Sequence, residues 1–190
     1  MRPLPIGIDD FKKLRENNFC YVDKSLFIQE LLDNRSEVSV FMRPRRFGKT
    51  LGLSMLKYYF EKEFDPDGNE IDNKKLFDGL NILDTGEKYT KYMGQYPVIS
   101  LSLKCAKQPD FQTAYECLVD EIAQEFDRHS YILLNSNLNS SEKNQFREMI
   151  EKKGPDSAWA KALNFLSRCF TSAKRAGNYL WLKALCRCAK

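Results

Sequence analysis

The sequence predicts an α/β chain, a parallel sheet flanked by helices and left incomplete at its C-terminus. Three observations carry that expectation. A β-branched apolar run at 38–42 passes through a tight basic loop into a helical pattern. A second strand pattern at 97–103 follows an intervening helix, and strands separated by helical crossovers pair in parallel. Beyond residue 175 the patterning changes where a further strand should begin.

Asp23 is a good N-cap for a short helix over Lys24–Asp33, to which Leu26, Phe27, Leu31 and Leu32 give an apolar side. The first strand is placed at Val38–Met42. A second helix runs from Lys49 toward Lys62 and is apolar over much of its surface, which calls for packing on two sides. Asp65-Pro66-Asp67-Gly68-Asn69 is a turn by its chemistry. The second strand takes Pro97 at its first position, where a missing donor does least harm. Asp110 then caps a long helix carrying Phe111, Ala114, Tyr115, Leu118, Ile122 and Phe126 at helical spacing. After a polar loop over 135–141, a helix from Glu142 to Lys153 is stopped by Gly154 and Pro155. Asp156 opens a last one with Trp159, Leu163, Leu166 and Phe170 on one face.

The strongest motif is Val-Ser-Val-Phe-Met-Arg-Pro-Arg-Arg-Phe-Gly-Lys-Thr at 38–50. Strand, basic loop and Gly48-Lys49-Thr50 opening a helix make the mechanical context of a phosphate-binding loop. Backbone N–H groups curl around phosphates, the lysine neutralises their charge, and the threonine hydroxyl ligates Mg²⁺. The helix behind adds the positive end of its dipole. Against the full G-x-x-x-x-G-K-[ST] pattern, Arg43 stands where the first glycine belongs. An arginine fits there only if the turn keeps φ negative, and Pro44 biases it toward an extended shape. The competing reading is a surface turn with a chance Gly-Lys-Thr.

Three stretches together resemble the N-terminal part of bacterial AAA-ATPase-like proteins. They are Leu4-Pro5-Ile6-Gly7-Ile8-Asp9-Asp10-Phe11, Tyr21-Val22-Asp23-Lys24-Ser25 and Arg43-Pro44-Arg45-Arg46-Phe47-Gly48-Lys49-Thr50. Weaker matches lie at Leu53-Ser54-Met55-Leu56 and Tyr96-Pro97-Val98-Ile99. The resemblance implies a P-loop NTPase-like domain over 1–175, ATP with Mg²⁺ as ligand, and tolerance of Arg-Pro-Arg-Arg in the loop. Family members usually carry a nuclease-like domain of the PD-(D/E)XK type afterwards. The candidate nucleotide-binding residues are Arg45, Arg46, Phe47, Gly48, Lys49 and Thr50, with Thr50 also holding Mg²⁺ through its hydroxyl. Asp23 and Lys24 join them because related ATPases often approach the base there; the bland alternative is a helix cap.

A chain of 190 residues can bury a real core, and 43% hydrophobic with 13% aromatic residues excludes a disordered one. No run of about 18 apolar residues suggests a membrane span. Met1-Arg2-Pro3-Leu4-Pro5 is unlike a secretory leader, so the expectation is cytoplasmic, with the six cysteines kept as thiols. Cys186-x-Cys188 lacks a second pair to finish a zinc site. His129, amid polar residues near a helix end, reads as a solvated side chain.

Hydrolysis needs a second apolar strand ending in Asp, which secures Mg²⁺ and the attacking water. Cys117-Leu118-Val119-Asp120-Glu121 is a candidate, yet it lies inside the 111–126 helical pattern and reads as a solvated helix face. In the family the metal-binding strand follows a helix like the one from Ser157 to about Arg175. Here Tyr179-Leu180-Trp181-Leu182-Lys183-Ala184 takes that place, with Lys183 where the carboxylate belongs. No catalytic residue is therefore assigned.

No Asp or Glu follows Asp156, while Lys161, Arg168, Lys174, Arg175, Lys183, Arg187 and Lys190 do. Without those seven, 23 basic residues face 26 acidic ones, a formal −3, so the net +4 comes from the end of the chain. Residues 176–190 read either as a natural basic tail for nucleic acid or as the product of a frame-shift or truncation near Gly177. The second is preferred.

Three functional classes follow: an ATP-binding module that hydrolyses poorly, a nucleic-acid-binding module using Arg43, Arg45, Arg46 and the basic end, and an inactive remnant. An incomplete sheet also implies self-association or partnership with a separated C-terminal region. Sequencing the locus beyond Gly177 is expected to reveal a shifted frame encoding an apolar strand that ends in Asp-Glu; the absence of such a frame refutes the frame-shift.

Overall fold

The computed structural model describes residues 2–36, 38–42, 44, 47–134, 137–173 and 183–186. They form two units, one built from residues up to Glu63 with 71–98, the other from 64–70 with Ile99 onward.

In the first unit, helix α3 (Lys49–Phe60) is the pillar. Its second half buries Met55, Leu56, Tyr58, Tyr59 and Phe60, while Leu51 and Leu53 nearer its start are half-buried. Each fully buried aromatic contributes roughly 2–3 kcal/mol of transfer free energy. Helix α1 (Phe11–Glu16), not anticipated from periodicity, packs on it. Asp10 makes that contact specific. Its Oδ1 caps α1 by accepting from Lys13 N at 2.8 Å, and its Oδ2 accepts from Ser54 Oγ at 3.2 Å and Tyr58 OH at 3.1 Å. Phe11 N donates to Ser54 Oγ at 2.9 Å, and the Phe11 ring packs on Phe77 and edge-on to Tyr21. Burial, then the Asp10 charge, push the Tyr58 phenol far up, so it stays a donor at any physiological pH.

Helix α2 (Leu26–Asn34) begins later than expected, because Ser25 rather than Asp23 occupies the N-cap position. Ile28 is its buried residue, and Leu26 faces solvent. Short 3₁₀ turns at Lys74–Phe77 and Asn81–Thr85 and helix α4 (Glu87–Thr90) complete the unit. Arg15 holds the first turn by donating from Nε to Leu76 O at 2.7 Å and from Nη2 to Asp78 O at 2.6 Å.

The run 38–42, expected as the first strand, joins no ladder. Val38, Val40 and Met42 are 79%, 77% and 90% exposed, and only Phe41 packs, edge-on to Phe27 at 4.5 Å. Sequence pattern supplies an apolar face, but a strand persists only when its N–H and C=O groups find a neighbour. Among the described residues no strand lies beside this one.

Among the described residues, two two-stranded sheets stand in place of a single flanked one. β1 (Glu63–Phe64) and β2 (Glu70–Ile71) form a hairpin, closed as its turn chemistry predicts by the Asp65 carboxylate accepting from Asn69 N at 2.8 Å and Nδ2 at 2.9 Å. β3 (Ile99–Ser102) pairs in parallel with β4 (Lys183–Cys186), Ile99 opposite Lys183 and Ser102 opposite Cys186. That pair is the part of the expected parallel sheet that the fold contains.

The second unit wraps helices around β3. α5 (Phe111–Arg128) is capped by Asp110, which accepts from Thr113 N at 2.8 Å; α6 (Ser140–Ile150) carries a full capping box between Asn139 and Glu142. Each cap is worth about 1 kcal/mol. The expected final helix is two pieces, α7 (Asp156–Trp159) and α8 (Ala162–Ala173), with a turn at 160–161. Phe126, Ile132, Phe146, Met149, Leu166 and Phe170 fill the core. Phe111, assigned to the apolar face of α5, is instead 81% exposed.

His129 corrects the sequence reading. It is 1% exposed, ring-on-edge against Phe170 at 4.7 Å. It belongs to a buried polar knot around Glu125, which accepts from Ser100 N at 2.7 Å and Arg128 Nη2 at 2.6 Å, with His129 Nε2 3.5 Å away. The polar neighbours in sequence reflect the far side of the helix end, and the surrounding core decides burial. Desolvation pushes the Glu125 carboxyl up, but hydrogen bonds from His129 and Arg128 and their charges outweigh it and hold the group at about 2.

In the unfolded chain Glu125 takes up its proton near 4.5, so the knot's contribution, roughly 3 kcal/mol, is whole above that pH and fades as pH falls toward 2. Glu125→Ala is therefore expected to cost about 3–5 kcal/mol in urea unfolding at pH 7, since it strands the Ser100 N–H and the Arg128 charge. The gap to wild type should narrow steadily below pH 4.5. A gap independent of pH overturns the assignment.

Candidate phosphate-binding turn

Gly48 is the hinge of the site. It sits at φ 72°, ψ 26°, a left-handed conformation that glycine enters without the cost a Cβ imposes. Its carbonyl accepts from Gly52 N at 2.8 Å, so the helical ladder of α3 starts directly behind it. In any helix the N–H groups of the first turn lie outside the ladder, and in α3 that turn is Lys49-Thr50-Leu51. Phe47 and Gly48 are exposed, Lys49 and Thr50 half-buried, so the bend is not tucked beneath other side chains. Arg43, Arg45 and Arg46 lie outside the described residues.

Lys24 comes to this turn from the segment before α2. Its ammonium lies 3.8 Å from where a Cβ on Gly48 would stand, and the residue is exposed. Its neighbour Asp23 has a different task. Asp23 Oδ1 accepts from Ser25 N at 2.7 Å and Oδ2 from Asn81 N at 2.8 Å, bracing the start of α2 against the 81–85 turn. Burial pushes its carboxyl up, but the donors at Asn81 and Ser25 and the Arg15 charge hold it below the usual range. Ser25 Oγ, fully buried, accepts from Ile82 N at 3.1 Å beside it. This bracket holds the backbone from which Lys24 projects.

The stretches that carried the sequence resemblance converge on α3. Asp10 and Phe11 hold Ser54, Tyr21 OH lies 3.3 Å from Met55 Sδ, and Lys24 stands over Gly48. Sequence reasoning found the stretches but assigned no work to Asp10, Ser54, Tyr58 or Tyr21. The available signal was the coincidence of short polar residues with aromatics inside those same stretches.

No carboxylate completes the site among the residues named for it. Asp120 and Glu121 lie in α5, both intermediate in exposure, and Asp120 is paired with Lys152 at 2.7 Å. Lys183 lies in β4. Among the described residues no group of three His, Cys, Asp or Glu side chains could hold a metal, and no helix is long and apolar enough to cross a membrane. A cleft of about 340 Å³ lined by Lys12, Arg15, Asp72 and Lys75 shares no residue with the turn; Arg15 is spent on carbonyls and Lys12 faces Glu63 at 3.6 Å.

Residues 5–157 match the family described as "Predicted AAA-ATPase". An uncharacterized protein in the vnfD 5'region of Azotobacter chroococcum mcd 1 is 36% identical over 102 residues, which make up 53% of this chain and 17% of that protein. The chain thus spans a minor part of the relative's length. No solved structure matches.

Gly48→Ala is expected to destabilise the fold by about 1–2 kcal/mol through backbone strain alone, because the new methyl would meet the Lys24 ammonium only at ordinary contact distance. Urea midpoints of Gly48→Ala and Gly52→Ala compare a left-handed with a helical glycine; equal shifts overturn the conformation assigned to the turn.

Proposed function

Since the chain belongs to the predicted AAA-ATPase family, we propose that it is an ATP-binding module whose phosphate site is the turn Phe47-Gly48-Lys49-Thr50. The observation that carries the reading is the left-handed Gly48 opening a twelve-residue helix, with a lysine and a threonine in its first turn. Such a turn offers N–H groups and a helix dipole to an anion. Lys49 neutralises the phosphates and the Thr50 hydroxyl is the ligand for Mg²⁺. When bound, Mg²⁺ supplies further charge neutralisation on the phosphates.

Lys24 is the second cation of the site. Its position over Gly48 favours contact with phosphate rather than with the base. Asp23, with both carboxylate oxygens engaged by backbone donors, acts by positioning Lys24. Arg45 and Arg46 flank the same loop in sequence and add to its positive charge.

The chain binds without efficient turnover on this proposal. The one Asp-Glu pair considered for the attacking water lies along α5, and β4, in the place of the metal-binding strand, runs Lys183-Ala184-Leu185-Cys186 without a carboxylate. A lysine cannot hold magnesium.

At a hundredfold excess over Kd, ATP with Mg²⁺ is expected to add about 2.7 kcal/mol of stability and raise the melting temperature by several degrees. Lys49→Ala should abolish that shift, measured against the variant's own melting temperature without nucleotide. Lys24→Ala should weaken binding about fivefold, the worth of one water-screened charge near 4 Å. Phosphate release should stay at background. Steady hydrolysis lost in Lys49→Ala overturns the claim of poor turnover, and an ATP shift that survives Lys49→Ala overturns the site.

A further inference from the structure

The turn that follows β3 brings two cysteines together. Cys105 lies just beyond Ser102, the last residue of β3, and Cys117 lies in the second turn of α5. The Cys105 thiol donates to the Cys117 carbonyl oxygen at 3.4 Å, which sets its sulfur against the backbone of Cys117. Both residues are partly exposed and free, whereas Cys169 is 1% exposed in the core and Cys20 stands alone on the first unit's surface. Neither Cys105 nor Cys117 belongs to the phosphate turn or to the buried knot at Glu125.

We propose that Cys105 and Cys117 are a reversible oxidation site, closing to an intramolecular disulfide when the protein meets a small-molecule disulfide of the glutathione type. A disulfide requires the two sulfurs on adjoining backbone segments, and a Cys105 sulfur already in contact with the Cys117 carbonyl brings the two residues to such adjoining segments. In the first step the Cys105 thiolate attacks one sulfur of oxidised glutathione. That S–S bond breaks, and one glutathione leaves as a thiolate and takes up a proton. In the second step the Cys117 thiolate attacks the Cys105 sulfur of the mixed disulfide and expels the second glutathione. The protein loses two electrons and two protons, and one glutathione disulfide becomes two thiols.

Closure would have a definite structural effect. Glu125 already ties β3 to the C-terminal half of α5 through the Ser100 N–H. The new bond would tie the chain leaving β3 to the N-terminal half of the same helix, fixing the turn over 103–110 from both sides. Hydrogen bonding with Cys117, followed by burial and the nearby charge of Glu121, pushes the Cys105 thiol up to about 11. Little thiolate is present at neutral pH, which makes the pair slow to oxidise and suits it to sustained rather than momentary oxidant.

The test uses the full chain with Cys20, Cys186 and Cys188 changed to Ser, incubated with oxidised glutathione at mildly alkaline pH. Intact mass should fall by two hydrogens with no glutathione retained, and the tryptic peptides containing Cys105 and Cys117 should be recovered linked. Dithiothreitol should reverse both, and amide exchange over 103–110 should slow only in the oxidised form. Adding Cys105→Ser should leave a glutathione adduct standing on Cys117. Separate adducts on both cysteines without a link, linkage seen only after denaturation, or no reaction in the native protein would each overturn the proposal.

Discussion

The carboxylate of Asp10 holds the first unit together. It starts one helix and grips another, accepting from the backbone of Lys13 on one oxygen and from Ser54 and Tyr58 on the other. A carboxylate with three donors is satisfied although half-buried, and its three contacts fix both the position and the rotation of α3. Rotation matters because α3 begins at Gly48. Once Ser54 and Tyr58 are held, Lys49 and Thr50, one to two turns back along the same helix, have their directions set as well. The phosphate turn therefore inherits its geometry from a contact further along the helix behind it.

A second bracket works on the same logic. Asp23 and Ser25 together accept from the backbone of Asn81 and Ile82, which settles the chain just before α2. Lys24 lies between those two residues in the chain, so the backbone that carries it is held on either side. Flexible, strongly hydrated lysines make poor specific contacts when their stems are free. Anchoring the backbone on either side reduces that cost. The resemblance to AAA-ATPase-like proteins was carried by these stretches, and in the fold each has a contact that bears on α3 or its first turn.

Much of the helical content was legible, because caps and apolar periodicity are local signals. Asp110 and the Asn139–Glu142 box start α5 and α6, and the Asp65–Asn69 turn closes as its side-chain chemistry dictates. Shifts of a residue or two at α2 and α6 are of the size at which helix ends fray; at α2 the Ser25 hydroxyl accepts from Ile82 N and makes no cap hydrogen bond. Besides the polar neighbours of His129, two local signals misled. The apolar run at 38–42 has a strand's composition but no neighbour to pair with among the described residues, and Phe111 has helical spacing but an exposed face.

What the sequence determined by itself was the family, the run of helices and the Gly-Lys-Thr turn, because each rests on residues adjacent in the chain. Only the tertiary structure decided that His129 is buried beside Glu125, that Asp10 governs α3, that Lys24 stands over Gly48 and that Cys105 meets Cys117. Those pairings join segments whose separation in sequence carries no information about contact, and hydrogen bonding and burial act on distance in space. Chain order fixes what a residue can do chemically; packing fixes what it does it to.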